Sequence, residues 1–223
     1  ILSACLLVGS LNIKAQVDTV FWFAAPWVTP DHAGNQPMAF HFSTFANATT
    51  IRLRQPASVY DTSFTEAPNT LFTKYVSHLL DSLESKPADS VINRGFEVSS
   101  DFPIVAVYDF QSTGNNPETY SLKGQNGMGY EFVTPFQTLW NNKYLGPGRI
   151  QPYQFFSVVA TENNTTIHIT PRCDVVGGHP ANVTYSVFLP NAGQVYTCQN
   201  ITQITSTLGS NLAGSVITSD KKI

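Results

Sequence analysis

A repeated segment constrains the fold of this 223-residue chain more than any other feature. Residues 40–56 read FHFSTFANATTIRLRQP, and residues 155–171 read FFSVVATENNTTIHITP. Asn47, with the Thr-Thr-Ile that follows it at 49–51, recurs 116 residues later as Asn163 and residues 165–167. Self-similarity at a fixed spacing is the signature of a repeated structural unit. We therefore expect an internal duplication, with generic β-strand chemistry as the alternative source of the match.

A second match follows the first in the same order. Residues 95–104 (GFEVSSDFPI) resemble residues 214–223 (GSVITSDKKI) at a spacing of 119. Two matches at nearly the same spacing predict a duplicated unit of about 115 residues. On this hypothesis Ile223 corresponds to Ile104, where the apolar run at residues 104–108 begins.

The residue pattern predicts an all-β fold. Residues 50–54, 166–170 and 183–187 alternate apolar and polar side chains, which is typical of half-buried strands, and clusters of Gly, Pro and Asn separate the strands. Short strands with frequent turns favour antiparallel β-sandwiches. We expect residues 40–56 and 155–171 each to form a β-hairpin, with Ile51 and Ile167 on the buried face.

One segment has helical spacing instead. Apolar residues recur every three to four positions from Leu71 to Leu83, and Lys86-Pro87 follows them. The residue before a proline avoids the α region, so the pattern ends there. The sequence therefore predicts one short helix near residues 77–84, with a strand before it.

The N-terminal segment has the composition of an export signal. Residues 1–11 are an apolar run, and Ala15 follows where a signal peptidase would cut. We assign residues 1–15 to a partial signal peptide, residues 16–150 to the first β unit with a connecting segment, and residues 151–223 to a truncated second β unit. Lipidation at Cys5 and a buried first strand are the alternatives. The chain is thus expected to be exported, to the cell surface or beyond, with no membrane span after the signal.

The remaining cysteines form a pair if Cys5 is removed with the signal. Cys173 and Cys198 would then share an oxidising compartment, which favours a disulfide between them. The alternative is two buried free thiols that pack as small hydrophobic side chains.

Composition argues against several classes of function. Charged residues make up only 12% of the chain and the net charge is -3, which gives no basic surface for nucleic acid. The sequence has no nucleophile elbow, no zinc-protease helix motif and no phosphate-binding loop. His41 and His168 fall at polar positions of alternating strands, where solvated side chains are expected. We therefore predict a protein without enzymatic activity, cofactor or metal.

Aromatic residues are the better candidates for binding, because exposed aromatics stack on sugars and anchor protein interfaces. Trp140 precedes Asn141-Asn142 and a Gly/Pro-rich loop, and it is our candidate ligand-contact residue. Trp22 lies between Phe21 and Phe23, and we assign it to the core.

Six segments together resemble the family of the IgGFc-binding protein N-terminal domain. They are residues 21–26, 85–88, 119–124, 129–137, 159–166 and 212–215. The resemblance implies a large β-rich extracellular domain and supplies no catalytic residues. It also implies a bacterial, Bacteroidetes-type surface protein, since many bacterial relatives are of that kind. Lys222 departs from the family pattern, where relatives tend to have proline.

These observations predict an exported cell-surface interaction or adhesion module. Its partner is expected to be an extracellular protein or glycan. The alternative function is a carbohydrate-binding domain of a larger secreted enzyme, which the aromatic residues favour.

Overall fold

The computed structural model describes residues 16–27, 38–111, 117–136, 147, 153–201 and 211–223. The chain is all-β, with fourteen strands in this described part. The strands are β1 (Val17–Ala24), β2 (Met38–Ser43), β3 (Thr49–Arg54), β4 (Asp61–Glu66), β5 (Leu71–Tyr75), β6 (Val91–Ile92), β7 (Gly95–Phe110), β8 (Glu118–Ser121), β9 (Glu131–Val133), β10 (Phe155–Val159), β11 (Thr165–Thr170), β12 (Tyr185–Leu189), β13 (Val195–Gln199) and β14 (Val216–Ser219).

The predicted helix is confirmed in its place. A 3-10 turn at Ser77–Leu79 leads into a single α-helical turn, α1 (Leu80–Leu83), and β5 precedes them. A second 3-10 turn occupies Gly124–Gly127. Within the described residues, no helix is long and apolar enough to cross a membrane.

The first unit, made of β1 to β5 with β7 and β8, is built around the long strand β7. The N-terminal half of β7 pairs with β1 and β3, and β3 pairs with β4. Its C-terminal half pairs with β2 and β8, and β2 pairs with β5. All these pairs are antiparallel. The two groups of strands enclose one core that includes Phe21, Phe40, Phe96 and Tyr108, which is a sandwich-like arrangement.

The second unit consists of β9 to β14 together with the short strand β6. One sheet has the order β12-β11-β14-β9, and the other has the order β10-β13-β6. They share a core that includes Ile167, Ile169, Tyr196 and Ile217. Two of these strands, β6 and β9, lie before residue 150 in the chain but pair with strands of the second unit.

The predicted hairpins are wrong, although the strands lie where they were expected. β2 pairs with β5 and β7 rather than with β3, and β10 and β11 belong to different sheets. In the second unit the Asn-containing turn therefore carries the chain from one sheet to the other, whereas in the first unit β2 and β3 both pair with the long strand β7, at different residues. Both strands direct apolar side chains into the same core, and strands of opposite sheets can do this from opposite sides. The alternation itself is confirmed, since Ile51 and Leu53 are fully buried while Arg52 is exposed.

The repeated segments occupy equivalent positions in the two units. Ile51 pairs with Phe64 and Ser100, and Ile167 pairs with Val187 and Ser219. In each unit an aspartate side chain also accepts a hydrogen bond from the backbone N–H of the second threonine of the Thr-Thr-Ile strand, and we call this aspartate the cap.

In the first unit the cap is Asp101, whose Oδ1 accepts a hydrogen bond from the Thr50 N–H at 2.8 Å. In the second unit Asp220 does the same for Thr166 at 2.7 Å. These are the pairings that a duplicated unit would have, and the duplication stays a prediction.

Candidate functional site

The candidate site begins at the open edge of β10. Asn200 N–H donates to the Gln154 carbonyl, and Ala160 N–H donates to the Gln194 carbonyl, so these residues face β13. Backbone groups alternate in direction along a strand, and those of Phe155, Ser157 and Val159 must therefore point away from β13. β10 ends its sheet, and no strand of the described residues pairs with this edge.

An apolar gap of about 400 Å³ lies beside this edge. The β10 side contributes Phe156 and Val158, and Phe132 of β9 lies along the gap as well. Trp22 of β1, in the first unit, lines the gap as well, and so does Lys123, which follows β8. Apolar lining with a few polar groups is typical of binding sites.

A tight turn fixes the wall that carries Lys123. The Asp18 carboxylate accepts a hydrogen bond from the Gln125 N–H at 2.7 Å. Gly124 has φ of +60°, and a Cβ there would lie 2.5 Å from the Cβ of Asp18. Only glycine combines that backbone conformation with so close an approach. The turn at Gly124–Gly127 is therefore held against β1.

The gap occupies the place that one strand fills in the first unit. There, the part of β7 from residue 105 onward lies between β2 and β8. Ile223 stands where Ile104 stands: Ile104 pairs with Asp18, and Ile223 exchanges two backbone hydrogen bonds with Gly129. Beyond that point β2 has a neighbouring strand, whereas β10 has the gap.

A second cluster of polar side chains joins the two units near β6. The Asp89 carboxylate accepts hydrogen bonds from the Tyr196 hydroxyl at 2.7 Å and from His179 Nε2 at 3.1 Å. The His179 ring stacks on Tyr185 at 3.7 Å. Gly177 makes room for Asp89, since a Cβ there would lie 2.0 Å from the carboxylate.

Cys173 and Cys198 lie in the core of the second unit as free, buried thiols. Burial raises the pKa of Cys173 to about 11 and that of Cys198 to about 12. The thiolate is the reactive form, so both thiols are inert near neutral pH. The structure thus contains the free-thiol alternative, and the disulfide stays a prediction for the exported protein.

Histidines and carboxylates do not assemble a metal site in the described part of the chain. His41, which we expected to be solvated, is only a quarter exposed: its Nε2 lies 3.0 Å from Asp109, and Nδ1 contacts the Thr73 hydroxyl at 2.9 Å. His168 is exposed as expected and contacts Ser186.

Comparison with known proteins gives a match for the C-terminal part of the chain, which contributes most of the residues that line the gap. Residues 118–223 match the family model described as IgGFc binding protein. The match begins at β8 and includes Lys123, Phe132, β10 and Ile223, but not the β1 wall. No curated protein matches the chain, and no solved structure does.

Of the two aromatic residues singled out in the sequence, the structure describes one. Trp140, the candidate ligand contact, lies outside the described residues. Trp22 was assigned to the core, but it is half-buried and lines the gap, while its neighbour Phe21 is fully buried. Sequence reasoning missed Lys123 and Phe156, although the position of Phe156 beside Ser157 in the second repeat corresponds to Phe40 beside His41 in the first.

Proposed function

We propose that the chain is an exported cell-surface module that binds an extracellular protein and performs no catalysis. The observation that carries the proposal is the match of residues 118–223 to the family model described as IgGFc binding protein, because that family is one of extracellular binding modules. The apolar surface beside β10 is of the kind that such a module uses for contact. Adhesion is the role that such a module would have at a cell surface.

The chemistry around the gap supports binding rather than catalysis. Of the described residues that line it, Lys123 alone carries a charged side chain. The inert thiols lie in the core of the second unit rather than at the gap.

Binding can be tested with residues 16–223 immobilised on a sensor surface. The probes are a panel of purified extracellular proteins that includes IgG Fc, which the family description names. Saturable binding to a protein probe is the expected result. Absence of saturable binding to the whole panel would refute the proposal.

A glycan array tests the alternative of a carbohydrate-binding domain. Dose-dependent sugar binding that is lost in Trp140→Ala, without binding to any protein probe, would establish the alternative instead. Trp22→Ala serves as the comparison, because Trp22 lines the gap and Trp140 was chosen from sequence alone.

Export and a bacterial, Bacteroidetes-type origin are part of the same proposal. The apolar run before Ala15 predicts a mature N-terminus near Gln16. Intact-mass analysis of the protein secreted by its host checks this. A mass that retains residues 6–11, or a lipid on Cys5, would contradict it.

A further inference from the structure

Five Asn-x-Ser/Thr sequences occur in the chain, and such a sequence accepts an N-linked glycan where it lies on the surface of an exported protein. The structure separates them by burial. One asparagine is fully buried, so the fold leaves no room for a sugar there, and the other four are exposed. The buried residue is Asn200, and the exposed residues are Asn47, Asn163, Asn164 and Asn182.

Asn47 lies in the turn between β2 and β3, where residues 45–48 are all exposed. Thr49, the third residue of the sequence, begins β3, and its hydroxyl donates a hydrogen bond to the Asn47 carbonyl at 3.0 Å. A surface turn with no neighbour above it can carry a bulky polar group without disturbing the core, which is what a glycan requires.

A small cavity of about 180 Å³ lies beside this asparagine. Asn47 lines it together with Phe45, Phe102 and Pro103. The side chains of Phe45 and Phe102 are 45% and 41% exposed. Exposed aromatic rings are the surfaces on which sugars stack. The amide that would carry a glycan therefore lies next to two rings that could hold its first sugar.

The corresponding turn of the second unit is built differently. By the spacing of the two sequence matches, Thr161 takes the place of Phe45, and Lys221 takes the place of Phe102. Lys221 Nζ donates to the Asn163 carbonyl, and the side-chain oxygen of Asn163 accepts a backbone N–H at 2.8 Å. Both turns keep the asparagine and threonines, but the first turn alone has the two phenylalanines beside them.

We propose that Asn47 is an acceptor of an N-linked glycan whose first sugar packs against Phe45 and Phe102. The inference goes beyond the proposed binding function and rests on the export that is part of it. The sugar donor is a lipid diphosphate-linked oligosaccharide. Asn47 Nδ2 forms a bond to C1 of its first sugar while the bond from C1 to the phosphate oxygen breaks. The amide loses one proton, and the lipid diphosphate leaves.

The packing has a consequence for stability. A sugar that covers the two rings removes apolar surface from water, which favours the folded state. The oligosaccharyltransferase belongs to the cell that exports the chain, whereas the acceptor and the rings belong to the turn itself.

The first measurement is occupancy. Residues 16–223 are secreted from a eukaryotic cell line behind a heterologous signal, so the result does not depend on residues 1–15. Peptide mass spectrometry of the secreted protein should find Asn47 glycosylated and Asn200 unmodified. Thr49→Ala should reduce occupancy of Asn47 about tenfold or more, because the acceptor sequence needs a hydroxyl residue there. Thr49→Ser is the matched control, since it keeps the hydroxyl.

The second measurement tests contact with the rings. One sample is trimmed enzymatically to the first sugar, another is deglycosylated completely, and their urea midpoints are compared. Complete removal should lower the midpoint of the wild type by about 0.3 M or more, and the two midpoints should coincide in Phe45→Ala. Leu71→Ala is the control, because Leu71 is an exposed apolar residue outside the cavity, and it should keep the wild-type difference. Sugars on other asparagines are the same in all these chains and cancel.

An unmodified Asn47 in the secreted wild type would overturn the acceptor site. A glycosylated Asn47 whose complete removal of sugar leaves the midpoint unchanged would overturn the packing, and so would a difference that persists in Phe45→Ala. The protein panel tests binding separately, so either failure is distinguishable from a failure of the proposed function. Intact-mass analysis of the natively secreted protein likewise tests export by itself.

Discussion

Replacing the two caps with alanine tests the equivalence of the units. Asp101 and Asp220 are both exposed, and each accepts one backbone N–H at the start of its Thr-Thr-Ile strand, at 2.8 and 2.7 Å. Asp101→Ala and Asp220→Ala each remove that acceptor. Water reaches the freed N–H, so the cost is the net value of a hydrogen bond, about 0.5–1.5 kcal/mol. We expect each alanine variant to lose about 1 kcal/mol of its free energy of unfolding, because a hydrogen bond to a charged carboxylate is stronger than one to a neutral acceptor.

Urea unfolding followed by circular dichroism measures these costs. With a urea dependence of about 1–3 kcal/mol per molar, a loss of about 1 kcal/mol lowers the midpoint by about 0.3–1 M. Asp101→Asn and Asp220→Asn are the controls, because an amide oxygen still accepts the N–H. The double alanine variant should show the sum of the two losses, since the caps share no hydrogen-bond partner.

Unequal costs would refute the reasoning. A difference between the two alanine variants greater than about 1 kcal/mol, the width of the range expected for one hydrogen bond, would mean that the caps are not equivalent. A loss from either asparagine control as large as that from its alanine variant would show that something other than the hydrogen bond is being measured.

Two further predictions concern the second unit. The raised pKa values of Cys173 and Cys198 mean that the folded state holds the thiol protons more tightly than the unfolded state, so the stabilisation is full below about pH 9 and is lost as pH rises toward 11 to 12. Thermal melts of the reduced protein from pH 8 to 11 should show this loss, and the absence of free thiol even in urea would reveal a disulfide instead. Gly177→Ala should destabilise by well over 1 kcal/mol, because its Cβ would lie 2.0 Å from Asp89; Gly178→Ala has a similar φ but open space and should cost about 1 kcal/mol, as urea midpoints will measure.

Sequence periodicity predicted the strands well. One face of each strand is buried, and apolar and polar residues therefore alternate along it. Ile51 and Leu53 face the core in the structure as they did in the pattern, and so do Ile167 and Ile169. The short helix near 77–84 was predictable from spacing and from the proline after it. The second sequence match, at a spacing of 119 residues, corresponds to strands with equivalent partners. Ser100 pairs with Ile51, and Ser219 pairs with Ile167.

Strand partners were not predictable in the same way. A turn of a few residues between two apolar stretches fits a hairpin within one sheet as well as a crossing between two sheets. Alternation is the same in both cases, because each strand buries one face. Deciding between them needs the partners of the long strand β7, whose two halves pair with β3 and with β2. Those contacts join residues at least 43 positions apart, from Arg54 and Glu97 upward, and local pattern carries no information about them.

The candidate site lies where the likeness of the two units stops, and this explains why residue patterns could not locate it. A ligand contact chosen from sequence has to be an unusual residue, and Trp140 was chosen for that reason. The gap instead arises from common residues, such as Ser157 and Val159, whose side chains are ordinary for a strand. What distinguishes them is that the backbone of their counterparts His41 and Ser43 is paired with β7, whereas no strand of the described residues pairs with this edge of β10. Unpaired backbone groups along an edge are a template for a further strand. An open strand edge has no residue signature, and it becomes visible only when the pairing of one unit is compared with that of the other.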